Sequence, residues 1–355
     1  MRKFLTFLVV LLFIILAPLT IYLFNLQRVL LNPDFYRLQF QKHDLYEQVI
    51  VLGAQFAVGL SQGGEGEMGP LPMTEEEIEE ALREIVPPSW LERQIERNID
   101  AFFSWLSSDE EYPALRFPMR DIKERVPEVA PRLLIQIWDR LPVCPEGVPP
   151  LGEEEPFPSC RPQGMTRDEL MSEMMPQVEE GLKDFLADVP DEISLEKALR
   201  EEPDEAERER LLASLNRLQR IGRLAPLISY GLIVLCAALI GLLALLAATS
   251  LRSLLGWTGS AFLIAGLMAL VPALLIPFLV RGALAMALGG LGMGMIPPAA
   301  TELVTGLLVD MVGAITMPIA IQSGIILIVG FLCILLAIIL GLVRRPQRKA
   351  TESGD

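Results

Sequence analysis

Four long stretches of this chain carry no charged side chain, and they constrain its fold more than any other feature. They run between Lys3 and Arg28, Arg223 and Arg252, Arg252 and Arg281, and Asp310 and Arg344. A helix needs about 20 apolar residues to cross the hydrocarbon of a bilayer. Lipid offers no hydrogen bonds to a backbone, so a spanning segment must satisfy its own, as a helix does. Each stretch is long enough, and the sequence therefore predicts four transmembrane helices. Composition agrees: 52% of the 355 residues are hydrophobic. The mean hydropathy of +0.42 is too high for an ordinary soluble chain.

The first stretch, with its core FLTFLVVLLFIILAPLTIYLF, has two readings. A cleaved signal peptide has an apolar region of roughly 7–15 residues followed by a small-residue cleavage site. This run is longer and no such site follows it, so residues 1–24 are expected to be an uncleaved anchor. Pro18 is tolerable where neighbouring helices pack against it. Lys and Arg near the spans set the orientation. Arg2 and Lys3 precede the first span, Arg252 lies between the second and third, and Arg344, Arg345, Arg348 and Lys349 follow the fourth. With four spans all of these fall on one side, the cytoplasmic face of a plasma membrane. Residues 25–224 are then extracytoplasmic, 225–343 hold three further spans, and 344–355 form a basic tail inside.

The outer segment holds 22 basic and 41 acidic residues, a net charge of −19 against −15 for the whole chain. Nucleic-acid binding needs a basic footprint, and basic clusters hold a domain to anionic lipid. An acidic segment does neither. It is expected to bind no nucleic acid and to stand off the bilayer surface.

Cys144 and Cys160 bracket fifteen residues rich in Pro, Glu and Gly. A structural zinc site takes about four ligands, and the single histidine of the chain, His43, is far away in sequence. The spacing also excludes a CxxC redox pair. An outward-facing pair in an oxidising compartment reads as a disulfide. Closing such a loop stabilises by roughly 3 kcal/mol in the chain-entropy treatment. Cys236 and Cys333 lie inside spans, where a thiol packs as a small apolar group. No metal and no cofactor are expected.

The rest of the outer segment reads as helices separated by Pro-rich turns. Asn32 caps a helix with Pro33 at its first position, and Leu38, Leu45, Val49, Leu52 and Phe56 follow as one helical stripe. SQGGEGEMGPLP at 61–72 reads as a loop. Thr74 with Glu77, Ser89 with Glu92, and Thr166 with Glu169 have capping-box spacing. Behind Ser89, the residues Leu91, Ile95, Ile99, Phe102 and Leu106 line one face, widened by Trp90, Phe103 and Trp105. A helix over 119–140 is expected to be interrupted at Pro127 and Pro131. The last helix begins near Ser194, with a bend or split at Pro203, and feeds the second span. The aromatic set, with Trp138, reads as helix packing, and the charged run 198–210 as a solvated helix face.

Residues 282–300, GALAMALGGLGMGMIPPAA, are too rich in Gly and Pro for a fifth span, which would also put the basic tail outside. They are expected to be an outer loop or short re-entrant piece. Next comes an interfacial helix, so that 281–317 lies outside the fourth span of 318–343. It carries Glu302 and Asp310. Ionisable groups at membrane depth usually mark a proton or ion path, and these two are the candidates for one. The preferred reading keeps them in interfacial water. Gln322 and Ser323 are expected to hydrogen-bond neighbouring helices.

No nucleotide loop, zincin motif or nucleophile elbow is present. His43, beside Asp44, reads as a helix-surface residue. The segments NPDFYRLQFQKHDLYEQV, PPSWL at 87–91, the C…CRP pair at 144–162 and LVTGLLVDMVGAI together give a layout that resembles a group of uncharacterised bacterial integral membrane proteins. That resemblance implies an N-terminal anchor, an extracytoplasmic helical domain, C-terminal spans and an envelope location, and no activity. The expectation is an all-α membrane protein with about four spans and a large extracytoplasmic helical domain. It is read as a non-enzymatic scaffold, sensor or accessory subunit, embedded in the lipid bilayer and binding a protein partner or itself. The alternatives are a transport-related protein or an enzyme with a carboxylate site.

Overall fold

The computed structural model describes residues 2–62, 73–145, 160, 161, 164, 166, 168, 169, 172, 175–201, 204–247, 250–290 and 298–343. The chain divides into two compact units: Met1–Gln39, Asn216–Gly292 and Thr305–Asp355 in the first, Phe40–Leu215 and Met293–Val304 in the second. Among the described residues the architecture is almost entirely helical, and four helices are long and apolar enough to cross a membrane.

The first unit is built on α1 (Arg2–Leu30), α10 (Leu251–Gly290) and the greater part of α9 (Glu205–Ala247) and α11 (Pro298–Val343). In lipid there is no hydrophobic drive between helices, so close packing and polar contacts must join them. Both are present. Ala261, Ala265, Ala269 and Ala273 recur every four residues on α10 and are all buried. Val9, Val10, Phe13 and Ala17 of α1 pack with Ala261 and Ala265 and with Leu239 and Leu243 of α9. Phe13 lies 5.6 Å from Phe262, ring centre to ring centre. On the other side of α10, glycines let backbones touch α11. A Cβ on Gly259 would stand 2.9 Å from the carbonyl oxygen of Gly330, and one on Gly266 2.9 Å from the nitrogen of Leu327.

Polar groups then fix the register. The Tyr22 hydroxyl donates to the Ala269 carbonyl at 3.0 Å. Asn25, which is 1% exposed, donates through Nδ2 to Gln322 Oε1 at 2.8 Å and accepts from Gln322 Nε2 at 3.3 Å. This reciprocal amide pair ties α1 to α11, as the sequence suggested for Gln322. Ser323 is fully buried, but its Oγ has no hydrogen-bond partner among the described residues, so the expectation of a bond to a neighbouring helix is corrected for Ser323. Its carbonyl lies 3.0 Å from where a Gly266 Cβ would stand. Replacing either Asn25 or Gln322 with leucine is expected to destabilise the bundle by about 1–2 kcal/mol. The double replacement should cost less than the sum, because no amide is then left unpaired. Thermal unfolding of the four proteins in detergent measures this, and strict additivity would deny the pairing.

In the second unit, α3 (Leu45–Gln62), α4 (Glu75–Ile85), α5 (Pro88–Leu106) and α6 (Arg120–Arg140) enclose a core. Trp90, Trp105 and Trp138 are 4%, 1% and 4% exposed, so the tryptophans of the aromatic set are core, while Phe102 and Phe103 are half-buried. Both buried indoles among the first two find partners, as they must away from water. Trp90 Nε1 donates to Asp121 at 3.1 Å and Trp105 Nε1 to the Glu110 carbonyl at 2.9 Å. Thr74 and Glu77 form the expected capping box on α4. Arg132 pairs with Glu84, and Arg140 with Glu77, joining α4 to α6.

Several expectations are corrected here. The stripe Leu38–Phe56 does not face a core: Leu38, Val49 and Phe56 are 62%, 41% and 61% exposed. α2 (Pro33–Lys42) stops at a turn containing His43 and Asp44. Asp44 takes a positive φ of 46°, a conformation Asp tolerates better than most residues. The restart changes the helical phase, and Tyr46, Ile50 and Ala54 become the buried face of α3. His43 is accordingly a turn residue, not a helix-surface one. Ser89 does not cap α5, because Pro87 and Pro88 open the helix ahead of it. α6 continues through Pro127 and Pro131, held by the buried Val129, Leu134 and Trp138. α10 continues past Arg281 to Gly290, and α11 is one helix through Pro318, so residues 300–317 belong to α11 rather than to a separate interfacial helix. Residues 291–297 of the expected outer loop, the loop at 63–72, Pro203 and the basic tail lie outside the described residues.

Two strands also escaped the sequence reading. β1 (Arg116–Pro118) pairs antiparallel with β2 (Glu192–Ser194), Phe117 opposite Ile193. Asn98 of α5 covers the outer edge of β1, accepting from the Arg116 N–H at 2.8 Å and donating to the Arg116 carbonyl at 3.0 Å.

Candidate functional site

The short ribbon matters because it brings the start of α6 beside the end of α7 (Met175–Asp188). The Met119 N–H donates to the Asp191 carbonyl at 2.8 Å. One turn into α6, Lys123 Nζ donates to the Val189 carbonyl at 2.7 Å and to Asp191 Oδ1 at 2.8 Å. These bonds hold the chain after α7 against α6. β2 then gives way to α8 (Leu195–Glu201), whose first turn is capped by Ser194, its Oγ accepting from the Lys197 N–H at 3.2 Å.

Between α6 and α7 lies a cleft of about 530 Å³, within the range of ligand sites. Pro127, Met175, Leu182, Leu186 and Ala187 give it apolar walls; Arg120, Lys123 and Lys183 bring positive charge, and Glu124, Glu179 and Asp191 negative charge. The helical spacing explains the lining. Met175, Leu182 and Leu186 share one face of α7, while Arg120, Lys123, Glu124 and Pro127 share one face of α6.

The hydrogen bond from Lys123 holds the Asp191 carboxyl below its usual range, assisted by the charges of Lys123 and Arg120. A depressed carboxylate contributes stability above its unfolded value, about 3.9, and loses it as pH falls through the lower folded value. The junction between Asp191 and α6 should therefore hold at neutral pH and loosen as pH falls below the ordinary carboxylate range. Following the Asp191 side-chain carbonyl by NMR should give a midpoint below 3.9 in the native protein and an ordinary one in Lys123→Met. Equal midpoints would deny the interaction.

Just after the C-terminal end of α6, Cys144 is joined to Cys160 in a disulfide. Backbone bonds flank it: the Cys144 N–H donates to the Arg161 carbonyl and the Arg161 N–H to the Pro142 carbonyl, both at 2.8 Å. Thr166 and Glu169 form the expected reciprocal contact, at 2.8 and 3.3 Å, which lowers the Glu169 pKa. Glu302 is exposed near the start of α11, and Asp310 is half-buried two turns later. Neither lines the cleft. Among the described residues, no group of three or more His, Cys, Asp or Glu is placed to hold a metal.

The cleft residues themselves were invisible in the sequence. Arg120, Lys123, Lys183 and Asp191 belong to no motif, and the three-residue strands, with the bonds of Met119 and Lys123, bring them together.

The molecule is a multi-pass membrane protein with membrane helices at its N- and C-terminal ends and a large helical extracytoplasmic domain between them. No protein-family model, curated protein or solved structure matches the chain.

Proposed function

We propose that this is a non-enzymatic bacterial envelope protein, a scaffold, sensor or accessory subunit that holds a protein partner in the α6–α7 cleft. The observation that carries this reading is the cleft lining, in which apolar side chains are mixed with groups of both signs. A polypeptide presents that mixture along its length, and complementary charge around a buried apolar centre is how protein interfaces gain specificity. The support beneath it is firm: a tryptophan core, a ribbon and a disulfide hold the helices that form the walls. On this reading Glu302 and Asp310 stay in interfacial water and carry no ion path.

A photoreactive benzophenone side chain in place of Lys183, in cells, tests this. A discrete protein adduct is expected there and not from the same group in place of Glu209, an exposed position on α9. Combining it with Arg120→Glu and Leu186→Ser should reduce the adduct by about tenfold, the effect of 1.4 kcal/mol. Equal adducts at both positions, or indifference to the cleft substitutions, would remove the reading.

A further inference from the structure

Where α10 begins, the chain holds a seated cation far from any anion of its own helices. The guanidinium of Arg252 lies across Gly341 of α11: a Cβ at Gly341 would stand 2.7 Å from Arg252 Cζ and 2.9 Å from its Nε. Any side chain at 341 would push the guanidinium from its seat. Arg252 is exposed. Between Glu209 and Glu302 the sequence has no acidic residue, and none lies between Asp310 and Glu352. The spanning parts of α9, α10 and α11 therefore supply no carboxylate to balance it.

An open cavity of about 490 Å³ adjoins it, lined by Arg252 with Ser250, Ser253, Gly256, Trp257 and Ser260. Among the described residues of that lining none is anionic. The hydroxyls of Ser250 and Ser253 can donate a hydrogen bond, while that of Ser260 donates to the Trp257 carbonyl at 3.0 Å. The depth is also defined. Arg252 separates two uncharged runs, so it sits at a membrane–water boundary, where arginine reaches the headgroups and tryptophan concentrates. A guanidinium presents its donors as a planar fork that matches two phosphate oxygens at once.

We propose that Arg252, seated on Gly341, binds the phosphodiester of an anionic phospholipid, with Trp257 against the lipid's glycerol and upper acyl region. The glycine at 341 is then a positioning residue: it leaves room for the guanidinium to lie flat. This site is independent of the outer cleft.

The test uses the full chain in nanodiscs of phosphatidylcholine with a minor fraction of phosphatidylglycerol, followed by native mass spectrometry of the released protein. The wild-type chain should retain phosphatidylglycerol. Arg252→Gln should lower that retention by about fivefold, the weight of one interfacial basic residue. Gly341→Val should lower it similarly with the arginine still present, while Arg281→Gln, on the same helix, should leave it unchanged. An excess of inorganic phosphate should not displace the lipid. Undiminished retention in Arg252→Gln, an exposed change that the fold tolerates, overturns the proposal whatever Gly341→Val does. Displacement by inorganic phosphate overturns it too, since the site would then be one for the free anion.

Discussion

Gly330→Ala is expected to destabilise the membrane bundle by about 1–3 kcal/mol, the usual cost of overpacking. A Cβ there would stand 2.6 Å from the Leu263 nitrogen and 2.9 Å from the Gly259 carbonyl oxygen. Both are backbone atoms, so no side chain can rotate away and the helices themselves must separate. The matched control is Gly241→Ala on α9, where nothing lies within 4 Å of the added carbon. There the substitution removes the conformational cost of glycine in a helix and should stabilise by about 0.5–1 kcal/mol. Opposite signs of the two shifts in thermal unfolding are the predicted result. Shifts of the same sign would mean that α10 and α11 do not meet at Gly259 and Gly330.

Loss of the disulfide is the second large effect. Cys144→Ser with Cys160→Ser should lower the stability of the outer domain by roughly 3 kcal/mol, because the unfolded chain regains the freedom of the closed loop. Three of the four tryptophans, Trp90, Trp105 and Trp138, are buried in that domain, so their fluorescence reports its unfolding in urea. Reduction of the wild-type protein should reproduce the midpoint of the double substitution. A midpoint indifferent to reductant would show that the bond bears no load.

The membrane architecture was legible in the sequence because its determinants are local. Uncharged runs of sufficient length can do little else but span, and Thr74 with Glu77 caps α4 through residues three apart. The Asn25–Gln322 pair was half legible: Gln322 stood out as polar inside a span, but its partner lies on a helix almost the whole chain away. The outer domain was harder. Its apolar residues from Leu38 to Phe56 fit one helical period, and only the positive φ of Asp44 breaks that period in two. The ribbon of β1 and β2 was illegible, since three residues are too few for alternation to show. The cleft inherits that difficulty, because the ribbon assembles it.

Orientation rests on the least local argument. Arg208, Arg210, Arg217, Arg220 and Arg223 precede the second span on the side assigned to the exterior. They do not outweigh Arg2, Lys3, Arg252 and the basic tail, because long segments are exported largely regardless of charge.

Labelling single cysteines in intact cells with a membrane-impermeant maleimide tests that orientation most directly. With Cys236 and Cys333 replaced by alanine and the disulfide intact, Glu128→Cys places an exposed thiol on α6, and Leu251→Cys one at the start of α10. Position 128 should be labelled in intact cells, and position 251 only after the cells are permeabilised. Labelling of 251 from outside with 128 protected would place the acidic domain in the cytoplasm and contradict that orientation.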